Sequence, residues 1–313
     1  MKRGQLLAIN IASLPQPDLM RRARDVAIAL RQELYLSCLL DDAELPPALP
    51  GRRERVNKVR KKLLTRCSNA LDKVLEEASA AGVGAHGEVK AANSVKDAAL
   101  ELVQRLSPSF VLICRKPHSR LQEATLSGND FEIIRTCPVP VWVVNPENRS
   151  GDKIVGAIDR RGTGGGNGSN LDDEILEKAS HLARKLGKEH HALHTFGQAG
   201  LPQALEPAAP DPDDDMGASR YDRRMRRIFE FGQAHGVPRN RIHVHEGKLI
   251  NALEEMSEPM NADLIILGER HRGRLSRLFS GSAAERVIQR VKSDVLILND
   301  RGPQAAEESS RLH

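Results

Sequence analysis

The chain has 313 residues, of which 40% are hydrophobic and only 3% aromatic, and its formal net charge is +5. This length predicts two domains of ordinary size with packed cores. The scarcity of aromatic side chains argues against a protein that binds single-stranded nucleic acid by base stacking. Because no apolar run is long enough to span a bilayer and the N-terminus lacks the apolar core of a secretory signal, we expect a cytoplasmic protein without a membrane span.

Short apolar runs alternate with helical patterns through the first half of the chain. Runs typical of strands occupy 6–11, 34–40, 86–91, 110–114 and 139–144. Apolar residues at helical spacing predict helices at about 18–32, 53–81 and 94–106. Asp18 and Ser94 stand where a helix N-cap is expected.

The second half begins after a hydrophilic linker at 147–152 and follows the same alternation. Its predicted strands are 154–159, 190–196, 241–245, 264–267 and 295–298, and its predicted helices are 171–186, 218–235, 248–260 and a segment after 282. A polar tail at 301–313 is predicted to be disordered.

The two halves repeat each other with an offset of 154 residues, obtained by aligning Cys114 with Gly268 (268 − 114). With this offset, VWVVN in the first half falls on VLILN in the second without a gap. A repeat of this length predicts two copies of one domain, at 1–146 and 153–300. Strands that alternate with helices predict an α/β fold, a doubly wound parallel sheet in each copy.

The stretch 262–299 reads as strand, loop, helix and strand. In such a unit the N-terminus of the helix lies at the carboxyl edge of the sheet, where free N–H groups and the helix dipole favour an anion. Gly281 allows the backbone to approach that anion closely, Ser282 adds a hydroxyl and Arg270 adds positive charge. A phosphate-bearing ligand is therefore the first hypothesis.

At these residues the chain resembles the universal stress protein family, and in particular its tandem members of the E type. ATP-binding members of that family carry Gly, two residues, Gly, nine residues and then Gly-Ser or Gly-Thr. Gly268, Gly281 and Ser282 stand at the matching spacing, whereas His271 occupies the position of the second glycine. His271 would either block a phosphate or, if protonated, bind it. The resemblance implies the sheet order 3-2-1-4-5 in each copy.

The resemblance also implies a site for ATP or another adenine nucleotide, with or without magnesium, in the second copy. It assigns Asp159, at a strand end, to the adenine or ribose and Thr195 to the base. The glycines and serine named above would hold the phosphates, together with Arg270 and His271. The alternative is that Asp159 is a loop or capping residue and that the glycines shape a structural loop.

The first copy departs from this pattern at every matching position. Cys114, Pro117 and Ser127 stand where the second copy has its glycine, histidine and glycine, and Asn10 replaces the strand-end aspartate. A Cβ at each point of close approach argues against a nucleotide. We therefore expect the first copy to be structural or to bind a different ligand.

Three other features have simpler explanations than a site. The glycine-rich segment 162–168 lacks the Lys-Ser/Thr ending of a P-loop and is interpreted as a flexible loop or lid. The acidic run 211–215 is interpreted as a solvated loop. Five histidines lie on predicted strands: His190, His191, His194, His243 and His245. His243 and His245 would point to the same side of one strand, but two ligands alone do not make a metal site.

Four cysteines are scattered through the chain without a Cys-x-x-Cys pair, which predicts buried free thiols in a reducing compartment. No catalytic motif is present, so we expect a protein without enzymatic activity. By resemblance, its function is stress resistance, including tolerance of oxidative or DNA-damaging conditions, through a nucleotide-dependent change in partner binding.

Three alternatives stay open: a module for an apolar or lipid-like ligand, a ligand-free scaffold for protein partners, and, least favoured, a nucleic-acid binder that uses its basic helices. The resemblance implies either a monomer whose two copies pair internally or a homodimer.

Overall fold

A computed structural model describes residues 4–11, 15–41, 53–115, 126, 128–158, 170–196, 220–270 and 283–300. The chain forms two compact units. Unit 1 comprises Met1–Arg149 and Glu269–His313, and unit 2 comprises Ser150–Gly268. The units differ from the predicted copies because the last helix and strand, which the repeat assigns to the second copy, group with unit 1. The division into copies at 147–152 stays a prediction, and the tail 301–313 lies outside the described residues.

Strands and helices alternate in unit 1 as the apolar pattern predicted. Its strands are β1 (Gln5–Asn10), β2 (Glu33–Asp41), β3 (Ala85–Ala92), β4 (Phe110–Cys114), β5 (Val141–Val144) and β10 (Asp294–Asp300). Its helices are α1 (Pro17–Leu30), α2 (Arg53–Ala80), α3 (Val95–Leu106), α4 (Gly128–Thr136) and α8 (Ala283–Arg290).

The sheet of unit 1 confirms the implied order 3-2-1-4-5. Its five strands run parallel in the order β3-β2-β1-β4-β5. β10 adds to the free edge of β5 in the antiparallel direction, with Leu296 opposite Trp142. The fifth strands of the two predicted copies therefore pair within one chain, as the resemblance implied for a tandem protein.

Unit 2 repeats the arrangement. Its elements are β6 (Lys153–Ile158), α5 (Asn170–Leu186), β7 (Glu189–Phe196), α6 (Arg220–Ala234), a 3-10 turn (Arg239–Arg241), β8 (Ile242–Glu246), α7 (Leu249–Met256) and β9 (Ala262–Arg270). The strands lie in the order β9-β6-β7-β8 and all pairs are parallel. This order corresponds to 4-1-2-3 of the implied fold.

The central strands are apolar throughout because helices cover both faces of a doubly wound sheet. Every residue of β4 and of β5 is buried. All four cysteines are free and buried, which confirms the interpretation from the sequence. Among the described residues, the helices are too short or too polar to cross a bilayer.

One of the two predicted helix caps is confirmed and the other is wrong. The N–H of Asp97 donates a 3.2 Å hydrogen bond to the Ser94 hydroxyl at the start of α3. α1 instead begins at Pro17, whose fixed φ suits the first helical position, and Gln16 is its N-cap residue without a side-chain cap bond. Asp18 lies in the first turn of α1, two residues after the N-cap position, so it does not cap the helix.

The sequence patterns missed α4, a short helix in unit 1. α8 begins at Ala283, and the repeat offset maps that residue to position 129 (283 − 154), within the first turn of α4. The helix was therefore predictable from the repeat, although its own apolar periodicity is weak.

Candidate functional site

The carboxyl ends of β6, β7 and β9 form one edge of the sheet in unit 2. β6 lies between the other two strands, and Ile158 at its end pairs with His194 of β7. Because neighbouring strands are about 4.8 Å apart, β7 and β9 lie roughly 10 Å from each other. Thr195 and Gly268 therefore flank the end of β6 from its two sides, and Asp159 follows Ile158 in the sequence.

Thr195 occupies the penultimate position of β7, opposite His245 of β8. It is half-buried, in contrast to the fully enclosed residues that precede it on the strand. Such a position near the carboxyl edge is compatible with packing against a ligand, as predicted. The role itself stays a prediction.

Gly268 has a packing function that the sequence did not indicate. A Cβ at this position would lie 2.6 Å from Cδ2 of Leu171 and 3.0 Å from Cδ1 of Ile175, both on α5. A larger residue would force these side chains to shift. The glycine therefore favours close packing of α5 on the sheet whether or not a phosphate approaches it.

The other predicted site residues contribute no described side chain. Asp159, His271, Gly281 and Ser282 lie outside the described residues, and only the backbone of Arg270 is described. The proximity of these residues to one another stays a prediction.

His194 positions the end of β6. Its side chain is completely buried, and its ring Nδ1 lies 3.2 Å from the carbonyl oxygen of Ile158. A carbonyl oxygen can only accept, so Nδ1 carries the proton and donates. This bond holds the residue that immediately precedes Asp159. The sequence alone does not indicate this role, because it depends on a neighbouring strand.

A second histidine group lies on the opposite face of β7. His191 Nδ1 is 3.0 Å from His243 Nε2, and His191 Nε2 is 3.1 Å from the carboxylate of Glu189. The carboxylate accepts from Nε2, so in neutral His191 the Nδ1 atom accepts and His243 Nε2 donates. Burial lowers the pKa of both rings. These nitrogens are engaged in hydrogen bonds, and the described part of the chain has no group of three His, Cys, Asp or Glu arranged to hold a metal ion.

In unit 1, protein groups fill the equivalent carboxyl edge. Asn10, at the end of β1, accepts a 2.9 Å hydrogen bond from the N–H of Gln16 through Oδ1. The Gln16 side-chain amide donates to the carbonyls of Cys114 and Arg115 at 3.5 and 3.4 Å. All four residues are buried. The side chain of the strand-end asparagine is therefore bonded to the residue before α1.

Arg115, which directly follows β4, also bonds to neighbouring carbonyl oxygens at this edge. Its guanidinium donates to the carbonyl oxygens of Val291 at 3.2 Å and Gln289 at 3.4 Å, at the end of α8. Cys114 beside it is buried, and burial raises the pKa of its thiol, which stays protonated. These contacts give the first-copy residues structural roles, in line with the expectation for that copy.

Comparison with known proteins places the chain in a family. Residues 152–299 match the Universal stress protein family. The chain is 28% identical over 196 residues to universal stress protein E of Photorhabdus laumondii, a match that spans 59% of each protein and therefore less than two thirds of that relative.

Two solved structures share the fold over nearly the whole chain. A functionally unknown protein from Pseudomonas aeruginosa PAO1 has a TM-score of 0.72 at 19% identity, with 99% of this chain and 98% of that chain covered. A universal stress protein from Archaeoglobus fulgidus has a TM-score of 0.64 at 18% identity, with 94% and 98% covered. The family match shows that residues 152–299 belong to the universal stress protein family, and the chain is similar to universal stress protein E over 59% of its length.

Proposed function

We propose that this protein is a cytoplasmic stress-response protein that binds one adenine nucleotide and acts as a switch without turnover. Membership of the universal stress protein family supports the stress-response role. The proposed stresses are oxidative and DNA-damaging conditions. The proposed partners are proteins whose binding depends on the state of the nucleotide site.

The observation that carries this proposal is the difference between the two carboxyl edges. In unit 1, Gln16 and Arg115 lie at this edge, and their side chains bond to neighbouring carbonyls. In unit 2, β6, β7 and β9 end side by side, and the residues that follow β6 and β9 carry the family motif. This difference supports a single site, in the second copy.

The proposed contacts follow from the chemistry of the residues. Asp159 accepts a hydrogen bond from the ribose hydroxyls or the adenine amine, and Thr195 packs on the base. Ser282 donates its hydroxyl to a phosphate, and Arg270 and His271 offset the negative charge. The nucleotide supplies the phosphates, with magnesium where bound, and its binding changes the surface that 160–170 and 269–280 present to partners.

Calorimetric titration of the full chain with ATP, with and without magnesium, tests the proposal. We expect a stoichiometry of one per chain. Asp159→Ala removes a polar contact and should weaken binding about tenfold or more. Ser282→Ala should weaken binding, whereas the control Ser127→Ala, at the position that aligns with Gly281 in the first copy, should leave it unchanged. A stoichiometry of two, or equal effects of the two serine variants, would contradict the proposal.

A ligand-free scaffold is the second candidate, and the packing of Leu171 against Gly268 favours it because that glycine needs no ligand to explain it. Mass spectrometry of material released from gently purified protein distinguishes the candidates. A released adenine nucleotide supports the switch, and an apolar molecule supports a lipid-like ligand. No release, together with no thermal shift on adding ATP and magnesium, supports the scaffold.

We also propose that the chain is a monomer, because β10 already occupies the outer edge of β5. Sedimentation at increasing protein concentration tests this. A stable dimer would show that a different surface drives association.

A further inference from the structure

The first half of α2 carries a dense cluster of positive charge. Residues 53–66 contain seven Arg or Lys and one Glu, a net charge of +6 (7 − 1). Residues 67–80 contain one Lys and three Asp or Glu, a net charge of −2 (1 − 3). The helix is therefore positive in its first half and negative in its second.

This polarity opposes the helix dipole, which favours acidic residues at the start of a helix and basic residues at its end. α5 follows the favourable pattern, with Asp172 and Asp173 in its first turn and Arg184 and Lys185 in its last. α3 and α8 show the same favourable order. Helix stability therefore does not account for the charges of α2.

The positive half of α2 is less buried than its second half. Burial begins at Cys67 and continues at Leu71, Val74 and Ala78, whereas no described residue in 54–66 is buried. Val59 is 38% exposed. At 1.5 Å per residue, residues 53–66 are about 21 Å long. We call residues 53–66 the basic arm.

Four of the seven basic side chains on the basic arm are available to a partner. Lys58, Lys61, Lys62 and Arg66 are exposed, and within the described part of the chain none of their side chains forms an ion pair. Lys58, Lys62 and Arg66 follow one another at intervals of four residues, so they form a row on one side of the helix with steps of about 6 Å.

We propose that the basic arm is a docking surface for the phosphate backbone of double-stranded nucleic acid. A row of cations about 6 Å apart suits a polymer of regularly spaced phosphates. A helix with its side chains is about 10–12 Å wide and fits the major groove, which is about 12 Å wide. The proposal is independent of the nucleotide site in the second copy.

The low aromatic content does not oppose this proposal. Aromatic side chains serve single-stranded binding, in which bases stack, whereas contacts to duplex phosphates need only basic and polar groups. α2 contains no Phe, Trp or Tyr. That absence also disfavours insertion into a membrane interface, where such a helix commonly carries a bulky apolar face.

α6 repeats the feature independently in unit 2. It follows the second strand of that unit, as α2 follows the second strand of unit 1. Residues 220–227 contain five Arg and one Asp, a net charge of +4 (5 − 1). The recurrence of a basic helix start after the second strand supports a shared use of the feature.

Binding of a fluorescent duplex of about 20 base pairs and mixed sequence, measured between roughly 50 and 200 mM KCl, tests the proposal. The variant Lys58→Gln/Lys62→Gln/Arg66→Gln removes the row. We expect about a tenfold or greater loss of affinity at the lower salt concentration, and a slope of log K against log salt that is shallower by about three. Glutamine is a good helix former, and circular dichroism verifies that the helix content is unchanged.

The matched control is Lys178→Gln/Arg184→Gln/Lys185→Gln on α5, which removes the same number of charges from the whole chain. Duplex affinity of this control should stay within about twofold of the unmodified protein, well inside the tenfold effect of the row. Equal losses in the two triple variants would show a general charge effect and overturn the proposal. Absence of duplex binding at about 50 mM KCl would overturn it as well. Binding to vesicles that contain anionic phospholipid, without binding to duplex, would replace nucleic acid by a membrane surface.

Discussion

The indole N–H of Trp142 donates a 2.9 Å hydrogen bond to the completely buried carboxylate of Asp294. The same carboxylate accepts from the N–H of Asn145 at 3.0 Å and the side-chain amide of Asn148 at 2.8 Å, and it forms a 3.0 Å ion pair with Arg22. Burial raises the pKa of Asp294, and the Arg22 guanidinium and the N–H donors oppose that rise. Because all four neighbours donate, they favour the ionised form, and Asp294 joins α1 and β5 to β10.

Asp294→Ala is therefore expected to be strongly destabilising. It would remove the carboxylate that pairs with the guanidinium of Arg22, whose side chain is only 10% exposed. Removing one partner of a buried ion pair typically costs about 3–5 kcal/mol. Urea unfolding of the full chain, followed by circular dichroism, measures the loss.

Two controls separate the ion pair from the hydrogen bonds. Trp142→Phe removes one donor and keeps an aromatic ring, so it should cost only about 1–2 kcal/mol. Arg22→Met combined with Asp294→Ala should be less destabilising than the sum of the two single changes. If Asp294→Ala costs no more than Trp142→Phe, the ion pair with Arg22 is not the main interaction.

The stability of unit 2 should depend on pH through His190. This side chain is buried, and neither ring nitrogen has a hydrogen-bond partner among the described residues. Burial, with His191, His235 and Arg241 nearby, lowers the pKa of His190 from 6.5 to about 4. The folded state therefore binds this proton less well than the unfolded state. The contribution of neutral His190 to the free energy of unfolding is therefore fully present above pH 6.5. It is lost as the pH falls towards 4, by of the order of 1 kcal/mol per pH unit.

His190→Leu should reduce this pH dependence, because leucine cannot be protonated. Urea unfolding at pH 7 and at pH 5 measures the difference between the variant and the unmodified protein. The control is His86→Gln, since His86 is exposed on β3. A difference between His190→Leu and the unmodified protein that stays constant from pH 7 to pH 5 would argue against titration of His190.

Gly268→Ala should destabilise the protein even without a nucleotide. The added methyl would overlap Leu171 at the contact of α5 with the sheet. Overpacking of this kind costs about 1–3 kcal/mol. Thermal unfolding of nucleotide-free protein measures it.

A double variant tests the cause of that loss. Leu171→Ala removes the atoms that the new methyl meets, so Gly268→Ala should cost less in the Leu171→Ala background than alone. If the losses of stability in the two single variants simply add in the double variant, Leu171 is not the limiting contact. That result would favour a ligand-based explanation of the glycine.

The native protein should have no rapidly reactive thiol. All four cysteines are buried, which restricts access of a reagent. Burial raises the pKa of Cys114, whereas a hydrogen bond with Cys38 lowers the pKa of Cys67. Reaction with a chromogenic disulfide at neutral pH should be slow in buffer and should reach four thiols per chain after unfolding in urea. Fast reaction of any thiol in buffer would show that at least one of these sites opens readily.

Much of the fold was determined by the sequence alone. Apolar runs marked the strands because a sheet covered on both faces buries most of its side chains. The offset of 154 residues indicated two copies of one domain, and the spacing of Gly268, Gly281 and Ser282 pointed to the family. The Ser94 cap was predictable because its hydrogen bond joins residues only three positions apart. Signals of this kind are local or repeat along the chain.

Only the tertiary structure decided which buried groups meet. Trp142 and Asp294 are separated by 152 residues. The steric demand on Gly268 comes from Leu171, on a helix nearly 100 positions earlier. Hydrophobic periodicity indicates whether a side chain faces inward, but it does not indicate which atoms that side chain contacts. The buried ion pair, the closed edge of unit 1 and the reason for this glycine follow from close packing in three dimensions, which depends on residues far apart in the chain.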